Sequence, residues 1–365
     1  MKITLSKDLL HDKLNIASRF TSTKLTTVNT LQGVLLKGEK NKIHLYTTDL
    51  TVYFHTLIST DSENDFEIIL EPKKIVEFLQ FLNPGSIEII IKEKQVTISQ
   101  DKTKGNFPVI TSVEFPLPPK TKIKQQKIDI TLFKKNLPLI LFATSHDETR
   151  PALTGVNFVV VDEELILVAT DGFRLSLIKM KKQIELSNML VPGSFLTELL
   201  RYGKDEKEIG FSYISEEKMI AFFIGETTFY SRLIEGDFPP YERVIPTEVV
   251  STVTLEREEL LRNIKLISVF ARESSHVVVC EFKKDGLYVR PKKDSNADNT
   301  AYQEIQLKGA EQTVAFNYRF MLDLLNNLDT KTLQIEILRP DAPIVFKAEK
   351  NQDFLHIIMP VRIQE

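Results

Sequence analysis

The sequence predicts an α+β protein made of three repeated domains, each with two helices packed on antiparallel sheet. Three observations predict this. A closing signature recurs as Glu114-Phe115-Pro116-Leu117-Pro118, Asp237-Phe238-Pro239-Pro240-Tyr241 and Met359-Pro360, at intervals of 123 and 121 residues. The stretch Thr47-Thr48-Asp49-Leu50-Thr51-Val52-Tyr53-Phe54 returns 122 residues later as Ala169-Thr170-Asp171-Gly172-Phe173-Arg174-Leu175-Ser176. Alternating strands at 87–91, 209–213 and 333–337 follow helical stretches and are spaced by 122 and 124 residues. Self-similarity at a fixed period sets the architecture before any single element does. The repeats place the domains at 1–119, 120–246 and 247–365, within the range expected at roughly 150 residues per domain.

The elements follow in order. Met1-Lys2-Ile3-Thr4 reads as a first strand, and Lys7 and Asp8 arrive before any apolar stretch long enough for a signal peptide. Leu9, Leu10, Leu14 and Ala17 then fall at helical spacing, giving a helix over 7–20. Its counterparts are 132–143 and 256–272. The second helix of each copy opens at Pro72 and at Pro192, where the missing amide costs nothing, and in the third copy behind Asn317 as a cap. These helices span 72–83, 192–203 and 317–328. The third copy lacks the Thr-Asp pair; it has Val289-Arg290-Pro291 and then a polar loop over 292–300.

Composition narrows the function classes. Hydrophobic residues are 42% and charged residues 27%, a globular balance that argues against bulk disorder. Cys280 is the only cysteine, so no intramolecular disulfide and no Cys-x-x-Cys cluster can form, and a reducing cytoplasm is expected. It reads as a buried structural thiol. No apolar run approaches the roughly 18 residues of a membrane helix. Net charge is −3, so bulk attraction to nucleic acid is not expected. With the fourth stretch carried on to Lys204, the six helical stretches sum to +6 and the remainder to −9. That separation is expected if the helices face one polyanion, and a solvated helix face carrying lysines gives the same small margin.

A search for an enzyme finds no Gly-x-Gly-x-x-Gly, phosphate loop or nucleophile elbow. The six histidines, His11, His44, His55, His146, His276 and His356, do not pair at metal-ligand spacing. Ser176-Leu177-Ile178-Lys179 matches Ser-x-x-Lys, but on a strand the two side chains point to opposite faces. His146, Asp147 and Glu148 read as solvated loop charges, and Asp171 as a residue that bonds local amides. No catalytic residue, cofactor or metal is expected.

Four motifs identify a resemblance that spans essentially the whole chain: Arg150-Pro151-Ala152-Leu153-Thr154-Gly155, Ala169-Thr170-Asp171-Gly172-Phe173-Arg174-Leu175, Gly236-Asp237-Phe238-Pro239-Pro240-Tyr241-Glu242-Arg243-Val244-Ile245-Pro246 and Met359-Pro360-Val361-Arg362. They resemble the bacterial DNA sliding clamp family, the beta subunit of the replicative DNA polymerase III. The resemblance implies a head-to-tail homodimer that closes a ring around duplex DNA and confers processivity. Its partners would be the replicative polymerase, the clamp loader, and repair polymerases and other clamp-motif proteins. No membrane is involved, and the location would be cytoplasmic, at replication forks on the nucleoid. The alternative is a repeat scaffold that binds peptides without encircling DNA.

The resemblance also implies sites. DNA contact falls to Lys13, Arg19, Lys24, Lys73, Lys74, Lys134, Lys135, Arg201, Arg262, Lys265 and Arg319, whose long stems suit mobile contact with phosphate. Gly193-Ser194 departs from the family, where bases often follow the proline. Dimer contact falls to Phe107, Val109, Phe270 and Ala271, with Phe270 read equally as core or interface. A cleft for short linear motifs falls to Arg150, Leu153, Thr170, Gly172, Leu175, Pro239, Arg243, Val244, Pro343, Met359, Pro360, Val361 and Arg362. Methionine and aliphatic residues suit peptide anchors there, and Gly172 allows close backbone approach. Taken alone, Leu175 reads as a buried strand residue and Pro239 as a turn former. The tail Ile363-Gln364-Glu365 runs past the usual family ending, beside the expected cleft.

Overall fold

The computed structural model describes residues 1–22, 29–63, 65–110, 114–119, 124–272, 276–292, 299–349 and 351–362. Lys24, the centre of the 292–300 loop and the tail after Arg362 lie outside them. The chain divides into two compact units, the first comprising 1–130 with 205–233 and the second 131–204 with 234–365.

In the first unit, Lys2–Ser6, Ser86–Ile91, Gln95–Gln100 and Thr103–Pro108 form a four-stranded antiparallel sheet in that order. An eight-stranded sheet runs Phe66–Leu70, Val34–Glu39, Lys42–Thr48, Val52–Ser59, Thr227–Arg232, Met219–Ile224, Glu208–Ile214 and Gln126–Asp129. Helices α1 (Lys7–Ala17) and α2 (Pro72–Gln80) pack together. Ser6 caps α1 by accepting from the Leu9 amide at 3.4 Å, and Leu10, Leu14 and Ala17 are its buried stripe. A single 3-10 turn, Ser18–Phe20, continues it, close to the expected end.

In the second unit, a nine-stranded sheet runs Met189–Pro192, Gly155–Val161, Glu164–Thr170, Arg174–Lys181, Asn351–Ile358, Ile344–Ala348, Thr332–Ile337, Ser251–Glu256 and Gln306–Gly309. A four-stranded sheet runs Ala301–Gln303, Gly286–Pro291, Val277–Lys283 and Gln312–Asn317. The helix expected over 132–143 is split into α3 (Ile130–Asn136) and α4 (Pro138–Leu141). Pro138 has no amide to donate to the preceding turn, so regular bonding lapses there while the Leu137 amide still reaches the Phe133 carbonyl at 2.8 Å. The remaining helices are α5 (Gly193–Tyr202), α6 (Arg257–Ala271) and α7 (Tyr318–Asn327). Asn317 caps α7 as expected, accepting from the Arg319 amide at 3.0 Å. Cys280 is 1% exposed, and burial pushes its thiol up to about 12, as an inert core residue requires.

Repeats and compact units cut the chain differently. Strands 208–214, 219–224 and 227–232 of the middle repeat continue a sheet begun by the first repeat, while its strands 155–161, 164–170 and 174–181 share a sheet with the third. Two seams result, Val52–Ser59 against Thr227–Arg232 and Arg174–Lys181 against Asn351–Ile358.

Candidate functional site

The repeated Thr-Asp turn is built by its own side chains. The Thr170 hydroxyl donates to the Arg174 carbonyl at 2.6 Å and accepts from the Gly172 amide at 3.1 Å. Asp171 accepts from the amides of Phe173 and Arg174 at 2.9 and 3.0 Å, so it bonds local amides as expected. Gly172 has φ +92°, a conformation that costs other residues, and a Cβ there would meet only Arg150 Nη1 at 4.0 Å.

The turn aims Arg174 at the helices. Its guanidinium donates to Asp171 at 3.0 Å and to Asp323 of α7 at 2.6 Å. It also lies over the rings of Phe142 and Phe320, at 5.5 and 4.6 Å from their centroids. Two residues on, Ser176 is paired with Nδ1 of fully buried His356 at 2.7 Å. Burial pushes that imidazole down to about 3 and keeps it neutral. Lys179 is exposed on the other parity of the strand, which disposes of the Ser-x-x-Lys match. At the loop charges, the Thr149 hydroxyl and amide donate to Asp147 and hold its carboxyl below the usual range, a local turn.

The opposite face of the same strand is apolar. Leu175 and Leu177 pack with Ile166, Val168, Val345, Ile357 and Tyr241, edged by Phe238 and Ile245. Burial, with Glu242 beside it, pushes the Tyr241 phenol up to about 12. Tyr241 opens a 3-10 turn, Tyr241–Val244, on which Arg243 and Val244 are exposed, with exposed Pro239 just before it. Leu153 is buried on the 3-10 turn Pro151–Thr154, with Arg150 exposed beside Gly172. The Met359 amide donates to the Phe173 carbonyl at 2.8 Å, which ties the C-terminal segment to the turn and leaves the Met359 side chain 36% exposed. The structure therefore brings Arg150, Thr170, Gly172, Leu175 and Met359 to one turn and its adjoining face, with Val244 on the 3-10 turn whose Tyr241 packs there, while Pro343 is half-buried just before strand Ile344–Ala348 and Pro360 half-buried in the C-terminal segment.

Val361 departs from expectation. Its amide donates to the Ala315 carbonyl at 2.8 Å and its side chain packs on Val277, Val279 and Ala315, so it anchors the segment on the four-stranded sheet and leaves the apolar face to others. Arg362 is exposed beyond it. Sequence reasoning missed Val168, Val345, Ile357, Phe238 and Tyr241. Strand alternation could have found Val168 and Ile357, whereas Val345 enters through pairing with Ile357, which only the sheet defines. Arg174 was within the motif and carried its own signal.

Among the basic residues, Arg19, Lys73, Lys135, Lys265 and Arg319 are exposed. Lys74, Arg201 and Arg262 pair with Glu71, Glu198 and Glu259 one turn earlier, at 3.4, 2.7 and 3.1 Å. Exposed pairs of this kind contribute about 0–1 kcal/mol and exchange readily for another anion. Lys134 donates to the Lys204 carbonyl at 2.7 Å. Lys13 differs from the others: it is half-buried and its ammonium donates to the hydroxyls of Thr56 and Thr227 at 3.0 and 3.5 Å, so it braces the first seam.

Of the expected dimer positions, Phe107 is 9% exposed and meets Phe78 edge-on at 5.5 Å, and Val109 is half-buried. On α6, Phe270 is 51% exposed beside Leu266 and Val269, which settles its two readings against core packing. Ala271 is fully buried in its own subunit and offers no contact surface; Leu266, four residues before Phe270, and Val269, three after Leu266, are the apolar positions the sequence reading overlooked.

Among the described residues no group of three or more His, Cys, Asp or Glu side chains could hold a metal ion, and no helix is long and apolar enough to cross a membrane. Fold and site together define a threefold repeat protein of clamp architecture, with an apolar face at a sheet seam. Models of the DNA polymerase III beta subunit match the chain in succession: the N-terminal domain over 1–119, the central domain over 127–240 and the C-terminal domain over 242–362. The chain belongs to the DNA polymerase III beta subunit family, whose members are non-catalytic clamps. It is 28% identical to the beta sliding clamp of Bacillus subtilis over 99% of this chain and 100% of that one. It is 25% identical to that of Staphylococcus epidermidis over 99% of each. The solved sliding clamp of Bacillus subtilis superposes with a TM-score of 0.90 at 26% identity, covering 100% of both chains. The Thermotoga maritima beta subunit has the same fold, with a TM-score of 0.90 at 23% identity and 100% coverage of both.

Proposed function

We infer that two copies of this chain close head to tail into a ring that encircles duplex DNA and tethers a DNA polymerase to its template. The observation that carries this reading is the pair of seams. Each joins a strand of one repeat to a strand of the next, and each is finished by the same bond: the Arg232 amide to the Thr51 carbonyl, and the Met359 amide to the Phe173 carbonyl. By repeat position, Thr103–Pro108 corresponds to Thr227–Arg232 and Asn351–Ile358, and Ala301–Gln303 corresponds to Val52–Ser59 and Arg174–Lys181. Yet among the described residues each of these two strands is a sheet edge with one neighbour. A third seam made between chains satisfies both edges, and a heterologous contact of this kind closes a ring when its rotation closes. Exposed Leu266, Val269 and Phe270 on α6 supply apolar area for that contact, with Phe107 and Val109 near the facing edge.

Within such a ring, the domains 1–119, 120–246 and 247–365 present their helices to DNA. Arg19, Lys73, Lys74, Lys134, Lys135, Arg201, Arg262, Lys265 and Arg319 then meet phosphates, without base readout. Linear motifs of the polymerase, the clamp loader and repair proteins dock on the face of Leu175, Val244 and Val345, beside Arg150, Thr170, Gly172 and Met359. Tethering raises the effective concentration of the polymerase at the template and needs no catalytic group. The work is done in the cytoplasm, on the nucleoid.

The test is retention on nicked circular DNA in high salt after loading by a compatible clamp loader, before and after linearisation. Electrostatic binding is lost with salt in either topology. A ring survives on the circle and leaves the linear form; loss from both forms alike, with a control clamp loaded, favours the peptide-binding scaffold.

A further inference from the structure

We propose that His44 and His55, with Tyr46 beside them, form a binding site for one imidazole-preferring divalent transition-metal ion of the zinc and copper class. His44 and Tyr46 lie on Lys42–Thr48 and His55 on Val52–Ser59. The hairpin register sets Tyr46 opposite His55, so His44 is diagonal to His55 on the same face. Eleven residues separate the two histidines in sequence. No helical or short-loop ligand spacing has that value, because hairpin register sets it, and the sequence pattern therefore passed over the pair.

The geometry is convergent. Nδ1 of His44 is 3.0 Å from Nε2 of His55, and the Tyr46 hydroxyl is 3.3 Å from the same Nδ1. The His44 ring is 8° from parallel with His55 and 7° from Tyr46. Two imidazole nitrogens each about 2.0–2.1 Å from one zinc ion stand roughly 3 Å apart, so the separation needs little adjustment. At present one of the two nitrogens donates its proton to the other. Both become lone-pair ligands when that proton moves to the far nitrogen of its own ring, a tautomer change that leaves two neutral imidazoles and releases no proton from them. Burial favours the neutral rings and holds His55 at about 4.

The surroundings suit an ion held by few protein ligands. All three side chains are half-buried, so water can complete the coordination. Thr56 turns to the opposite face and meets Lys13, which places the pair on the side of the sheet away from α1. Glu39, Lys37 and Lys42 are the charged groups acting on His44. His55 also stands opposite Thr228 across the first seam. An ion here ties together the two strands of the hairpin that makes that seam, and stabilises the folded chain by an amount that grows with the logarithm of free ion concentration above its Kd.

The experiment titrates zinc chloride into the full chain by calorimetry, and repeats the titration with copper(II) under electron paramagnetic resonance. The expected result is one ion per chain with two equatorial nitrogens on copper. Affinity falls at least about tenfold in His44→Ala and in His55→Ala, and by less in Tyr46→Phe. His55→Gln keeps a hydrogen-bonding partner for His44, so it separates loss of a ligand from loss of fold. The melting temperature of the parent rises on added zinc, and that of His55→Gln does not. Absence of stoichiometric binding by the parent, or binding by the histidine variants as tight as the parent's, overturns the assignment.

Discussion

The two seams share a backbone and differ in what covers them. At the first, Thr48 donates to the Val52 carbonyl at 2.7 Å and accepts from the Leu50 amide at 2.8 Å, and Asp49 accepts from the Thr51 and Val52 amides at 2.9 and 2.8 Å. The turn at Thr170 repeats each of these bonds. On the helix side, Phe54 stands opposite Phe229 with Phe20 stacked 5.4 Å away, where the second seam has the Ser176–His356 hydrogen bond. On the other side the first seam pairs Tyr53 with Tyr230, and the second pairs Leu175 with Ile357. The two phenol rings pack with Met219 and Ala221 and close their own surface. Leucine and isoleucine are shorter, so the second seam is covered from outside, by Phe238, Tyr241 and Ile245. A face covered by a loop segment can share that cover with a peptide. The same scaffold thus closes one seam with its own side chains and covers the other with a loop segment, which on the function proposed above is where a peptide docks.

The largest effect that sharpens this contrast is expected at Arg174, which sits where the first seam has Val52. Arg174→Ala removes two ion pairs and two ring contacts and leaves Asp171 and Asp323 without that partner, a loss of about 3 kcal/mol in urea unfolding. Val52→Ala removes apolar packing alone, about 2 kcal/mol, and leaves peptide affinity untouched. Equal loss of peptide binding in both variants would break the contrast.

Next comes acid sensitivity of the second seam. His356 titrates at about 3 when folded, against an ordinary value of 6.5. Below pH 6.5 the unfolded chain binds a proton that the folded chain refuses, so this contribution to stability is complete above pH 6.5 and declines as pH falls toward 3. Melting temperatures across that window should fall more steeply for the parent than for His356→Gln. Superimposable profiles would show that His356 contributes nothing to the slope.

A smaller effect is expected from the two turn threonines. Thr48→Val and Thr170→Val each leave an amide and a carbonyl short of a partner, and each should cost about 1–2 kcal/mol. Their stability losses should match, while only Thr170→Val weakens a clamp-motif peptide in fluorescence anisotropy. The smallest effect is at the third turn position, where Leu50 has φ +75° and Gly172 φ +92°. Gly172→Ala should cost about 1 kcal/mol and Leu50→Gly close to nothing, since relief of backbone strain offsets the added chain entropy. A clear loss of stability in Leu50→Gly would mean that the Leu50 side chain packs more than its 45% exposure indicates.

Much of the fold was legible because its signals are local. Apolar spacing marked α1, proline marked the start of α2, and Asn317 marked the cap of α7; each acts within one turn of chain. The apolar face was legible in part, since Leu175 and its alternation lie on one strand, whereas Val345 joins it from another. The bracing of the first seam by Lys13 was not legible because its partners, Thr56 and Thr227, lie 43 and 214 residues away. Ala271 and Val361 were misjudged because which side of a helix or tail is buried depends on what packs against it.

The sequence by itself determined the threefold repeat, the helix starts and the hydrogen bonding of the Thr-Asp turn. These depend on residues that are neighbours along the chain and interact wherever that segment goes. Tertiary structure alone decided that the middle repeat divides its strands between two sheets, that one seam is sealed by tyrosines while the other is covered by a loop segment, and that His44 meets His55. Strand pairing is non-local, and its register sets which side chains share a face, so no spacing read along the chain contains that information.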